Sequence, residues 1–275
     1  MNILAIFLML FVLVTPVFGQ LDLEQEVLII PDTHDAKPYI WDVMPPRGFN
    51  LVIENSGSSS ELGDQFSLVV KSDASAKIEN IHVFITDEDL HTYAHVLPTR
   101  KTDGAYAFDF KPPLTAKYRF EVVFRTDRGW VDLRKDIKLK KVDGKAELNT
   151  KPGDEDYTVK IKPFPRKIYA EHVGTLLYEI SFKGTPLKEI EKMDGFDMQV
   201  AAWDEDLKEF IYMTPKQNFG GPEVAVSIVF MRPGKHAIFA EFKHNAYMRK
   251  IETVIDILAE PRSDAHSIEN MKSSE

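Results

Sequence analysis

At 275 residues, with 44% hydrophobic and 28% charged side chains, the chain has the composition of a globular protein and not of a disordered, collagenous or coiled-coil one. It has no cysteine, which excludes disulfide staples, thiolate metal centres, iron–sulfur clusters and a cysteine nucleophile. A net charge of −9 argues against nucleic acid or an anionic membrane as partner, because phosphates are repelled at long range.

Residues 3–14 form an unbroken apolar run of 12. As a helix it would rise about 18 Å, short of the roughly 30 Å needed to span a bilayer. Pro16 and the small residues Val17 and Gly19 follow, set for cleavage before Gln20. Residues 1–19 therefore predict a signal peptide, and the mature chain is expected to be secreted or periplasmic. No later run reaches 18 apolar residues, so no transmembrane span is expected in the mature chain. Residues 20–45 read as an N-terminal extension.

From Phe49 onward the chain reads as β. Short runs rich in Val, Ile, Phe and Tyr alternate in polarity at 49–54, 66–71, 81–86, 106–110, 118–125 and 130–139. Asp103-Gly104 and Lys111-Pro112-Pro113 are among the turn signals between them. The polar, Gly- and Pro-bearing stretch 141–155 predicts a linker. A second set follows at 157–162, 176–183, 198–203, 224–230, 237–243 and 248–258, and 260–275 reads as a disordered tail.

The two sets are copies. Asp87-Glu88-Asp89-Leu90 recurs as Asp204-Glu205-Asp206-Leu207. An aromatic (Tyr93, Phe210) and a proline (Pro98, Pro215) follow at the same offset of 117 residues. Five of 12 aligned positions are identical, where composition alone gives on the order of one. The predicted fold is all-β: two tandem immunoglobulin-like antiparallel β-sandwich domains, 46–140 and 156–259.

The repeated acidic turns lie between strands, where loops of sandwich proteins bind partners. Asp87, Asp89 and Tyr93 with Asp204, Asp206 and Phe210 are the expected interaction loops. Carboxylates at i and i+2 also begin calcium loops, but no further ligands follow at the spacing calcium needs, so capped turns are the simpler reading. Three histidines near one sandwich edge, His82, His91 and His95, make a candidate copper or zinc site. Their counterparts in the second copy are Gln199, Lys208 and Tyr212, so no imidazole is repeated there. Met193, Met198 and Met213 lie near the matching edge. The chain has no His-Glu-x-x-His, Gly-x-Ser-x-Gly, P-loop or dinucleotide fingerprint, and no catalytic residue is nominated.

The run His82-Val-Phe-Ile-Thr-Asp-Glu-Asp-Leu-His-Thr-Tyr-Ala-His-Val-Leu-Pro98, with Gly104-x-Tyr106 and the entry to Tyr118, resembles a family of bacterial secreted immunoglobulin-like domains. That family's pattern runs from a strand histidine through Asp-Leu and an aromatic to His-x-His-Pro. Pro233-Gly234 through Phe242 resembles its last motif in the second copy. The resemblance covers about 90 residues of each half. It implies a sandwich fold and a copper role for His82 and His95. Here Leu97 stands where the pattern has its second histidine, and the second copy lacks the set. The expectation is an exported, non-enzymatic binding protein without a resident cofactor, meeting a protein or envelope component. The alternative is a periplasmic copper-binding protein.

Overall fold

The structure is a computed structural model that describes residues 48–60, 63–72, 77–127, 129–142 and 154–259. The expected signal peptide, N-terminal extension and tail, and most of the linker, lie outside the described residues. Apart from one 3₁₀ turn at Asp154–Asp156, the regular structure described is all strand.

The first repeat contains β1 (Phe49–Ser60), β2 (Gly63–Ser72), β3 (Glu79–Asp87), β4 (Tyr93–Val96), β5 (Thr99–Arg100), β6 (Tyr106–Phe110), β7 (Ala116–Thr126) and β8 (Gly129–Leu139). They form two antiparallel sheets, ordered β1-β2-β6-β5 and β4-β3-β7-β8. This is the immunoglobulin arrangement, with strands A, B, E and D on one sheet and C′, C, F and G on the other. Phe66, Leu68, Val83, Ile85, Phe108, Phe120 and Val122 fill the space between the sheets. Tyr118, at the start of strand F, closes the corner. Its hydroxyl donates to Leu114 O at 2.9 Å and accepts from Leu114 N at 3.2 Å, the tyrosine corner of immunoglobulin-like sandwiches.

The second repeat contains β9 (Tyr157–Phe164), β10 (Val173–Phe182), β11 (Thr185–Pro186), β12 (Gln199–Asp204), β13 (Phe210–Met213), β14 (Glu223–Val229), β15 (Gly234–His244) and β16 (Tyr247–Ile257). Strand β10 pairs with β9 on one side and with β14 and the short β11 on the other. The second sheet runs β13-β12-β15-β16, the same order as β4-β3-β7-β8. Leu176, Tyr178, Val200, Ile211, Val226, Ile228, Ile238 and Phe242 form its core.

The duplication extends to atoms. Asp87 Oδ1 accepts from the amides of His91 and Thr92, and Asp204 Oδ1 accepts from those of Lys208 and Glu209. Leu90 and Leu207 sit at φ 59° and 55° in equivalent turns. The corner differs. His236 replaces Tyr118, and its Nε2 lies 3.0 Å from Glu209 Oε2. Glu209 in turn accepts from the amides of Met231 and Arg232. Both side chains are buried, at 0% and 1% exposure, so an imidazole–carboxylate contact does in the second repeat what a phenol does in the first.

The repeats are not beads on a string. A third core, containing Phe84, Tyr93, Val123, Trp203, Phe210, Tyr212 and Phe239, lies between β4-β3-β7-β8 and β13-β12-β15-β16. The molecule is thus four stacked sheets, and the two inner ones are buried on both faces. This explains why β12 is buried at every position and β3 from Ile81 onward. In β3, Val83 and Ile85 face the first core while His82, Phe84 and Thr86 face the second repeat.

Strand β4 lies against β15 and β16: Tyr93 stacks on Phe239 with ring centroids 4.4 Å apart, and Lys250 Nζ sits 5.5 Å from the Tyr93 ring. Its counterpart β13 lies against β3 and β8, where Tyr212 meets the rings of His82 and Trp130, each at 5.5 Å. Equivalent strands thus cross to the opposite repeat, the reciprocal pattern of a two-fold interface built within one chain.

Candidate functional site

The interdomain face gathers most of the chain's unusual chemistry. Because β3 alternates, His82 and Phe84 project from it on the side away from the first core, and His95 projects beside Phe84 from the neighbouring β4. His82 Nδ1 lies 3.0 Å from His95 Nε2. His95 Nδ1 reaches across to Glu241 Oε2 of β15 at 2.5 Å. When Nδ1–H of His95 donates to this carboxylate, its Nε2 is free to accept from Nδ1–H of His82. That leaves Nε2 of His82 bare, 3.7 Å from Asp194 Oδ2. His82 is 1% exposed. Burial, then the neighbouring His95, pushes its pKa down to about 3. Tyr93 is held well above the usual phenol range by burial and by its hydrogen bond to Glu241.

At the other end of the face, Arg119 of β7 grips Asp136 of β8 through two bonds of 2.8 and 2.9 Å. It also donates to the Leu207 carbonyl of the second repeat. The guanidinium draws the Asp136 carboxyl down to about 2. Between the two ends, Glu121 is fully buried and accepts from Arg134 Nε at 2.8 Å. Burial pushes its carboxyl up to about 7, against the pull of Arg134 and Arg119. The folded pKa lies above the unfolded one, so this group favours folding fully below about pH 4.5, and that contribution is lost as pH rises through 7. Glu121→Gln is accordingly expected to match the wild type in stability at pH 5. At pH 8 it should be more stable, by on the order of 1–3 kcal/mol, as read by urea melts at both pH values.

The nominated residues divide. His82 and His95 come together, but His91 is exposed and sits in the acidic turn, where its amide caps Asp87. The three-histidine set does not form, because His91 lies past the end of β3 while the other two project from paired strands. Among the described residues no group of three or more His, Asp or Glu side chains is placed to hold a metal ion. Of the interaction loops, Asp89 and Asp206 are exposed. Asp87 and Asp204 are buried, at 2% and 4%, as turn caps. Tyr93 and Phe210 belong to the interdomain core. These four side chains are spent inside the molecule, because each turn opens a short strand (β4, β13) that points its first aromatic at the other repeat.

Glu241, Arg119 and Glu121 are missing from the sequence reading. Their signal was present in Val83-Phe-Ile85, Val200-Ala-Ala-Trp203 and Ala237-Ile-Phe-Ala240, apolar runs that do not alternate and so mark strands covered on both faces. Among the described residues no helix is long and apolar enough to cross a membrane.

Set beside known proteins, residues 150–258 match the model of a domain of unknown function, DUF8832, a span that takes in β9 to β16. No curated protein matches the chain. Solved structures similar to parts of it include red sea bream transglutaminase, at 11% identity and TM-score 0.23 over 79% of this chain and 32% of that one. Latent PorU from Porphyromonas gingivalis matches at 11% and 0.26 over 83% and 21%. The chicken interferon gamma receptor alpha chain matches at 10% and 0.24 over 79% and 100%. The chain spans about a third of the length of the transglutaminase and a fifth of that of PorU.

Proposed function

We propose that the protein is an exported, non-enzymatic binding module of the cell envelope or extracellular space, in which two sandwiches act as one rigid body. One observation carries this reading: the polar groups at the interdomain face are spent on protein partners and do not line a cleft, His82 on His95, His95 on Glu241 across the joint, Arg119 on Asp136 and, across the joint, the Leu207 carbonyl, and Glu121 on Arg134. Two grooves of the described surface are lined by Ala170, Glu171, Met231, Pro233 and Ala259, and by Tyr157, Val159, Phe242, Arg249, Lys250 and Ile251. Neither offers two carboxylates, or a nucleophile beside a base, facing a common point.

Fractionation of the native cells tests export. The chain is expected outside the cytosol, beginning near Gln20; a full-length chain confined to the cytosol would contradict it. Capture of a stoichiometric protein partner from that compartment supports the binding role, whereas turnover of a small-molecule substrate by the purified chain would overturn it.

Copper handling is the second reading, favoured by the convergence of His82 and His95 with a carboxylate on the outer imidazole nitrogen. Cu(I) and Cu(II) titration of the mature chain, with His95→Ala as control, separates the two. Micromolar or tighter binding that disappears in the variant would promote the copper reading over the first.

A further inference from the structure

Two contacts fix how the repeats stand relative to each other. His82, near the start of β3, meets Asp194, which precedes β12. Arg119, near the start of β7, meets Leu207, in the turn after β12. Strands β3 and β12 are equivalent, and β7 runs antiparallel to β3, so the repeats stand the same way up with their strands running alongside. The acidic turns therefore share one end of the molecule. The other end gathers a second set of loops from both repeats: residues 97–105 and 127 from the first, and 183–198, 214–222 and 245–246 from the second.

Among the described residues six large apolar side chains are exposed, and three of them, Leu97, Phe219 and Tyr247, lie at this second end. Phe219 is 76% exposed. A single exposed phenylalanine is ordinarily unremarkable, but this one tops a built loop. Asp197, itself 1% exposed, accepts from the Gly220 amide at 2.8 Å and pairs with Lys192 at 2.7 Å. Asn218 Oδ1 accepts from the Asp197 amide at 2.7 Å, and its carbonyl accepts from Lys192. The Ile190 amide donates to Gly220 O at 2.9 Å. Gly221 has φ 92°, and a Cβ there would stand 2.4 Å from the Leu187 carbonyl oxygen, so only glycine fits. The loop is ordered before anything binds it, which removes an entropic cost of association.

We infer that this end, with Phe219 as its anchor, is a composite surface through which the paired repeats bind a protein partner presenting an apolar pocket. The inference rests on the binding-module reading above and names its surface. It parallels the way immunoglobulin variable domains place binding loops at one end of their sandwiches, here from two domains of one chain. The charges favour a protein over a lipid surface or a nucleic acid. Arg100, Lys101 and Lys188 are interspersed with Asp103, Asp127 and Glu189, giving no basic cluster, and the whole chain is acidic. Aromatic anchors in near-neutral, preorganised surroundings are where binding energy concentrates at protein interfaces.

Photocrosslinking amino acids placed singly at positions 219, 97, 164 and 114 of the full chain, in its native cells, test this. Phe164 and Leu114 are comparably exposed, at 48% and 46%, but lie at the opposite end. The expected result is an adduct with one identified protein from 219 and 97. That protein, purified, should bind the mature chain with a Kd weakened about 30-fold or more by Phe219→Ala and less than about twofold by Phe164→Ala. Phe219 is exposed, so its truncation leaves the fold intact. Protein adducts from 164 or 114 but not 219, or a Phe219→Ala effect below twofold, would overturn this surface and leave the binding-module reading standing. A lipid adduct at 219 would overturn the choice of partner. No protein adduct at any of the four positions would count against both.

Discussion

Trp203→Ala is expected to destabilise the protein by about 3–5 kcal/mol and to weaken both repeats together. Trp203 is fully buried. Its ring lies 4.8 Å from Phe210, 5.8 Å from Phe239 and 6.1 Å from Tyr93 of the other repeat, measured between centroids. Removing it opens a cavity in the third core, and Tyr93, stacked on Phe239, loses the edge contact that flanks it. Hydrogen exchange provides the readout. Amides of β3 and β7 in the first repeat should lose protection along with those of β12 and β15. Ile228→Ala, in the second repeat's own core, should act on that repeat first. Loss confined to the second repeat in the Trp203 variant would mean that the third core contributes little.

The second large effect concerns the divergent corner. Glu209→Ala is expected to cost about 3–5 kcal/mol, because it strands a buried imidazole and two backbone amides at once. Its counterpart in the first repeat is Thr92, which sits beside Tyr118 and bonds Asp87 Oδ2 at 3.1 Å. Thr92→Ala should cost about 1 kcal/mol, the ordinary scale for one hydrogen bond. Denaturant midpoints of the two variants measure the asymmetry. Equal losses would show that the buried His236–Glu209 contact contributes no more than one ordinary hydrogen bond.

Most of the fold was legible. All twelve predicted runs are strands, and 106–110 matches β6 residue for residue, because alternation and turn chemistry act locally and leave a direct trace in sequence. The duplication was legible for the same reason: Asp87 and Asp204 cap their turns with their own side chains. Strands β4 and β13 were not, since both lie inside the repeated motif and read as the tail of a loop. The interface was missed at a different level. His82 was read at a sandwich edge and Tyr93 and Phe210 in interaction loops, and nothing in a single repeat says what covers the face they share. The covering depends on the other repeat standing the same way up, which no local pattern encodes. The uninterrupted apolar runs of β12 and β15 were the available clue, and they speak of coverage without naming what covers. The acidic turns illustrate the consequence. Their repetition pointed outward, to a partner, while the aromatic that follows each Asp points inward, to the other half of the chain.

The joint also accounts for the spread of its ionisable groups. A buried face between two sheets needs apolar area for adhesion and polar pairs for register. The Tyr93–Phe239 stack and the Phe84–Phe210 contact at 5.7 Å supply the first, with aromatic pairs worth about 0.5–1.5 kcal/mol each beyond their burial. Arg119 to Leu207 at one end and His95 to Glu241 at the other supply the second. Sliding the repeats by one strand position would leave both polar pairs unmet inside the protein, at a cost that enforces a single alignment.

The central claim is that the repeats meet face to face through these inner sheets. Nuclear Overhauser contacts between selectively labelled tyrosine and phenylalanine rings test it most directly, with Tyr93→Leu and Phe239→Leu variants for assignment. A cross-peak between the ring protons of Tyr93 and Phe239 is expected from centroids 4.4 Å apart. A well-folded chain in which that cross-peak is absent, with the Tyr93 ring accessible to a soluble paramagnetic probe, would contradict the account.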